Sequence, residues 1–308
     1  MEALENILVV IERGAEQYPE IERAAELAEA SGAHVHLFVR EYHAVLYWHY
    51  LFGKRGDKVS QAAYEREAQA WVDEQVRALT DQGIKASGEA AWARHLYTAI
   101  AERVDALQPE LVIKGAHDER GVRSLYSATD WQLMRRCPVP VLLVKYQSRA
   151  QQGAILCSVH PAHPESDHHP VDHRIMELGQ LMSEYLGRPQ HLFNTFQSPA
   201  ESVAPPIAIE AGAYEDYLEQ HRNEHDRLLN EFVARYQLPE ANVHRLEGDP
   251  SSELPSLAQR LPASMVIMGV VSRSALPELL VGHTAERVLD RLECDVLVVK
   301  PPAATAAS

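Results

Sequence analysis

Three cysteines in 308 residues are too few, and too scattered, to staple a fold. Cys137, Cys157 and Cys294 show no CxxC spacing and cannot all pair. A disulfide framework is therefore excluded, and reduced thiols in a cytoplasmic setting are expected. Basic residues are also short, 29 against 44 acidic ones, which leaves a net charge of −15. A surface of that sign repels phosphate backbones and anionic lipid, so no nucleic-acid partner is expected. No stretch approaches about 18 uninterrupted apolar residues, the length a membrane span needs. The opening Met1-Glu-Ala-Leu-Glu5 lacks the positive start of a secretory signal. Walker, G-x-S-x-G and zinc-protease motifs are missing as well. Spacing alone assembles no acid, base and nucleophile, so no enzyme activity and no catalytic residue is assigned.

What the chain does contain is a long internal repeat. Leu111-Val-Ile-Lys-Gly115 returns as Met265-Val-Ile-Met-Gly269, and Val141-Leu-Leu-Val-Lys145 returns as Val296-Leu-Val-Val-Lys300. Gly115 and Gly269 lie 154 residues apart, Lys145 and Lys300 155 apart. A period that long is a duplicated domain rather than a solenoid unit of roughly 20–50 residues. Two domains are expected, 1–147 and 153–302, joined by the polar stretch Gln147–Gly153.

Within each half, short apolar runs alternate with helical patterns. Ile7–Ile11, Val35–Val39, Ile84–Ala90, Leu111–Lys114 and Val139–Lys145 read as strands. Pro19–Ala30, Gln61–Thr80, Tyr97–Leu107 and Thr129–Arg136 read as helices. In the second half, strands are expected near Ala154–Val159, His191–Phe196, Asn242–Glu247, Met265–Met268 and Val296–Lys300. Helices are expected near Asp172–Leu186, Glu215–Tyr236, Leu254–Leu261 and Thr284–Leu292, with Asp172 as an N-cap. Such alternation implies an α/β fold: a parallel sheet in each domain, covered by helices on both faces. Ligands of such folds bind beyond the carboxyl ends of the strands, so the loops after the first and fourth strands matter most.

Met268-Gly269-Val-Val-Ser272-Arg273, followed by Ser274–Val281 and Gly282-His283-Thr284, resembles the phosphate loop of the universal stress protein family. Nucleotide-binding members of that family read G-x2-G-x9-G-(S/T). Missing side chains let backbone amides approach phosphate oxygens, and the next helix turns its N-terminus to the charge. The resemblance extends over both halves and is nearest to the tandem members. It implies two Rossmann-like domains of the adenine nucleotide alpha hydrolase type, each a five-stranded parallel sheet of order 3-2-1-4-5. It implies that the last strands of the two domains pair within one chain, and it is compatible with a homodimer. It also implies a non-enzymatic stress-response role, with ATP or another nucleotide-containing ligand as the cofactor expected of the site.

Departures from the pattern separate the halves. In the first, Gly115 matches, but Asp118 takes the second glycine position and Ala128 (or Ser127) the third. A carboxylate beside a triphosphate is repulsive, so this half is expected to have lost its nucleotide. The position after the first strand, Asp in many ATP-binding relatives, is Glu12 here and His160 in the second half. In the second half Gly269 and Gly282 match, Ser272 replaces the second glycine, and His283 stands where Ser or Thr belongs. The ligand residues expected are His160, Asn194, Gly269, Ser272, Arg273, Gly282, His283 and Thr284. Gly269 and Gly282 read equally as glycines that let a helix approach a strand. Arg273 and His283 could hold phosphate or merely face solvent. An ATP-hydrolysing switch and a ligand-free interaction scaffold stay open as alternatives. The scaffold would use the aromatic segment Tyr42–Phe52. No metal is assigned: the loop His160–His173 holds five histidines but no cysteine, and its three prolines stiffen it.

Overall fold

The computed structural model describes residues 3–41, 57–116, 126–145, 153–161, 169–196, 211–270 and 283–300. The chain divides into two compact units, Glu2–Tyr146 and Gln147–Ser308, the latter grouped with Met1.

The first unit runs β1 (Asn6–Ile11), α1 (Pro19–Ser31), β2 (His34–Glu41), α2 (Asp57–Asp81), β3 (Ala86–Trp92), α3 (Leu96–Leu107), β4 (Leu111–Ala116), α4 (Ala128–Arg136) and β5 (Val141–Lys145). The second runs β6 (Ile155–Ser158), α5 (His169–Leu186), β7 (Gln190–Phe196), α6 (Ala211–Val233), β8 (Val243–Glu247), α7 (Pro250–Arg260), β9 (Met265–Gly269), α8 (His283–Leu289) and β10 (Asp295–Val299). Strand order is β3-β2-β1-β4-β5 in the first unit and β8-β7-β6-β9-β10 in the second. The paired strands within each unit are parallel. Order reverses between β1 and β4, and again between β6 and β9, so each unit has its crevice beyond the ends of those strands.

The core explains the sequence pattern. Ile7 to Ile11 are all fully buried, as are Leu111 to Ile113 and Met265 to Ile267. Strands with helices on both faces bury every side chain, which is why these runs are continuous rather than alternating. In the second unit α5 lies against β6 at Gly179, where a Cβ would come within 2.2 Å of Cys157 Sγ.

Several helix boundaries differ from the sequence expectation, each for a local reason. Helix α5 begins at His169, so Asp172 is inside its first turn and not its N-cap. Its carboxylate instead accepts the backbone N–H of His160. Helix α7 begins at Pro250, four residues before the expected Leu254, because Asp249 caps it by accepting Ser251 N–H at 2.9 Å. Pro255, inside the helix, cannot donate to the carbonyl of Ser251. Arg291 Nη1 donates to that carbonyl at 3.1 Å and fills the gap. Helix α6 stops at Val233, earlier than Tyr236: the chain tightens to i→i+3 bonds, with Tyr236 N–H donating to Val233 O.

Candidate functional site

At the carboxyl edge of the first unit the polar groups answer one another. Lys114, near the end of β4, is 2 % exposed. Its ammonium lies 2.7 Å from Glu12, which follows β1, and 3.0 Å from Asp130 of α4. It also donates to Gly115 O. Burial works against its charge, but the Asp130 and Glu12 carboxylates more than offset this, and the ammonium titrates above an ordinary lysine. Asp130 serves twice, because it also completes a capping box with Ser127. Glu20, fully buried in the first turn of α1, has its carboxyl pushed up to about 7 by burial, against the pull of a backbone hydrogen bond and of Lys114.

The neighbouring stretch of that edge is closed in the same way. Arg13 follows β1 and reaches Glu41 at the end of β2 and Glu67 on α2, both at 3.0 Å. Its guanidinium lies over the Trp71 ring, which packs against Tyr18. Among the described residues, Glu12 after β1 and Glu41 at the end of β2 are thus each held by a cation of the same unit.

The second unit presents the same positions with different chemistry. Aligned by the repeat, Lys114 corresponds to Met268, Glu12 to His160 and Asp130 to Ala285. No internal ion triad can form from those residues. The peptide unit between Val159 and His160 is gripped from opposite sides instead. Its carbonyl accepts Asn194 Nδ2 at 3.0 Å, and its N–H donates to Asp172 Oδ1 at 3.1 Å. These bonds fix the direction in which the exposed His160 leaves β6. The second atom of each gripping side chain, Asn194 Oδ1 and Asp172 Oδ2, is buried with no hydrogen-bond partner among the described residues. Burial raises the Asp172 carboxyl to about 7, only partly countered by the His160 N–H. A buried polar atom left unmatched costs about 1–3 kcal/mol, so such atoms in a folded protein call for an explanation.

Sequence reasoning missed a further member. His225 of α6 is 6 % exposed, and among the described residues both its ring nitrogens lack a hydrogen-bond partner. Asp226 lies 3.7 Å from Nδ1, an ion-pair approach too long for a hydrogen bond. The ring sits 5.1 Å from Phe196 at the end of β7 and 6.4 Å from His160. Burial pulls its titration below that of an ordinary histidine, with Asp226 opposing. Arg222, over the Phe196 ring, is engaged by Glu247.

Of the expected ligand residues, the structure brings His160 and Asn194 to one peptide. Gly269 ends β9 and has a packing reason of its own: a Cβ there would meet Val171 Cγ1 of α5 at 3.0 Å. His283 and Thr284 open α8, although their side chains lie outside the described residues. Ser272, Arg273 and Gly282 lie outside them too, as do Asp118, the aromatic segment 42–52 and residues 162–168 of the histidine-rich loop. The contrast of Lys114 with Met268 was open to inspection in the repeat. Nothing in the sequence singled out His225 among the polar residues of its helix.

The first unit also holds a groove of about 450 Å³ between α3 and the sheet. It lies toward the amino ends of the strands, and its polar members are already matched. His36 bonds Ser87 at 2.8 Å and Asn6 at 3.3 Å, and Arg103 bonds Glu89. Among the described residues no three metal-ligating side chains converge, and no helix is long and apolar enough to cross a membrane.

Two parallel α/β units of one strand order, each with its crevice at the carboxyl edge, define a tandem Rossmann-like α/β protein. Comparison with known proteins makes this specific. The universal stress protein family matches residues 3–145 and 191–300, and the chain belongs to that family. It is 28% identical over 303 residues to universal stress protein E of Photorhabdus laumondii, covering 96% of this chain and 95% of that one. It is 27% identical over 304 residues to universal stress protein E of Escherichia coli K12, covering 98% and 95%. A solved universal stress protein from Pseudomonas aeruginosa superposes with a TM-score of 0.76 at 27% identity, over 97% of this chain and 94% of that one. One from Archaeoglobus fulgidus, at 13% identity and a TM-score of 0.61, shares the fold.

Proposed function

We propose that this universal stress protein is a cytoplasmic stress-response factor without catalysis of its own, and that it binds a nucleotide or nucleotide conjugate in its second domain only. The observation that carries this reading is the contrast between the two carboxyl edges. In the first domain (1–147) Lys114 and Arg13 hold Glu12, Asp130, Glu41 and Glu67, so the crevice is filled by the chain's own ion pairs. In the second (153–302) Asn194 and Asp172 each keep a buried oxygen unmatched beside the peptide that launches His160.

In this reading Ser272, Arg273, Gly282, His283 and Thr284 take the phosphates, through loop amides, a guanidinium and the start of α8. His160 and Asn194 face the rest of the ligand. Gly269 lets α5 come close. The test is thermal unfolding of the full chain with and without ATP and Mg²⁺. A rise in midpoint that Gly282→Glu abolishes supports the reading. No rise with ATP, ADP or a nucleotide sugar favours an interaction scaffold and sinks it. Phosphate release at a steady rate would replace it with the ATP-hydrolysing alternative.

A further inference from the structure

We infer that His225 of α6 is a ligand-contacting residue of the second domain, and that it reads the uncharged heteroaromatic base of the bound nucleotide. The inference rests on the reading of that domain as the ligand-binding one, and adds to it a residue of α6.

The first argument is burial. His225 is 6 % exposed, and among the described residues neither ring nitrogen has a hydrogen-bond partner, the nearest charge being Asp226 at 3.7 Å from Nδ1. A side chain that served only to pack against Phe196 would be cheaper as a phenylalanine or leucine, because an imidazole loses its hydration on burial. Position is the second argument. The ring is 5.1 Å from Phe196 and 6.4 Å from His160, at the carboxyl edge where the crevice opens. Exposed His221, one turn earlier on α6, also meets Phe196, at 5.8 Å. The rings of His221, His225 and Phe196 thus cluster beside the end of β7.

The third argument is the kind of hydrogen bonding left unmet. A neutral imidazole offers one donor and one acceptor. Asn194 Oδ1, 1 % exposed, offers a further acceptor. A purine or pyrimidine edge carries donors and acceptors side by side and no formal charge, which matches the donor and acceptor that the imidazole offers. A phosphate does not: it brings acceptors only. The first domain supplies the control within the molecule. At the same place, between the end of β2 and α2, stand Glu41, Glu67 and Trp71, joined through Arg13 and left with no such demand.

The experiment is calorimetric titration of the full chain with ATP and Mg²⁺, using wild type, His225→Phe, His225→Gln and Gly282→Glu. The expected result is a loss of at least tenfold in affinity for His225→Phe, with its ligand-free melting point unchanged or raised. His225→Gln, which keeps a donor and an acceptor, should stay within about threefold of wild type. Adenosine should compete for wild type far better than ribose does. Unchanged affinity in His225→Phe overturns the inference, because the imidazole then holds a trapped water only. Equal loss in the Phe and Gln variants overturns it too, since that pattern marks a packing role. These failures leave the second-domain reading standing as long as Gly282→Glu abolishes binding. A wild type that binds no ATP overturns both.

Discussion

Replacing Lys114 by methionine, the residue its repeat partner Met268 already is, should destabilise the first domain sharply. Lys114 is 2 % exposed and Asp130 fully buried, at 3.0 Å from one another, with Glu12 at 2.7 Å. Removing the cation leaves Asp130 charged in a dry site, and breaking one side of a buried pair costs about 3–5 kcal/mol. For a unit of this size that is a fall of roughly 6–20 °C in midpoint. The double variant Lys114→Met/Asp130→Ala copies the pair Met268/Ala285. It removes the stranded charge and should recover most of the loss. What remains is the capping box, about 0.5–2 kcal/mol, because Asp130 no longer accepts Ser127 N–H. Urea unfolding of wild type, both single variants and the double closes the cycle, and a coupling above about 2 kcal/mol is expected. If Lys114→Met alone costs less than about 1 kcal/mol, the triad is a solvated surface feature and the closed-crevice argument fails.

Glu20 gives a pH dependence of definite sign. Its folded carboxyl titrates near 7 against an ordinary 4.5, so between those values the folded protein holds a proton that the unfolded chain has released. Stability therefore falls as pH rises from about 4.5 to 7. Glu20→Gln should flatten that slope and stabilise the protein at pH 8 by roughly 1–3 kcal/mol, which chemical unfolding at pH 5 and pH 8 can check. Gly179→Ala should cost at least about 1–3 kcal/mol, since its Cβ would lie 2.2 Å from Cys157 Sγ. Pairing it with Cys157→Ala should return part of that loss in the same melting assay. None of the three cysteines is in a disulfide and all are buried, and burial pushes the Cys157 thiol up to about 12. A thiol reagent at pH 8 should titrate none of them in the native protein and all of them in denaturant; rapid native labelling would contradict their placement.

Much of the fold was legible because both halves state it. A run such as Ile7–Ile11 has no polar face, and only a strand covered on both sides buries all of it. Helix ends were harder, since they are set by partners distant in sequence. Asp172 has the composition of an N-cap, yet its carboxylate is taken by the peptide that leaves β6. Pro255 is a stop signal in isolation, but Arg291 supplies the missing donor from another element. The candidate site divided along the same line. Glu12 and His160 were found because the position after the first strand is fixed by topology. The match of Lys114 with Asp130 joins β4 to α4 and shows only in three dimensions. His225 carries no local mark at all: its interest lies in what it fails to bond with.

Native mass spectrometry of the full chain with ATP, ADP and a nucleotide sugar tests the central contrast most directly. One nucleotide per chain is predicted, lost in Gly282→Glu and retained in Lys114→Met/Asp130→Ala. Two per chain, or a single nucleotide that survives Gly282→Glu and departs when Lys114 is changed, would place the ligand in the first domain and contradict the account.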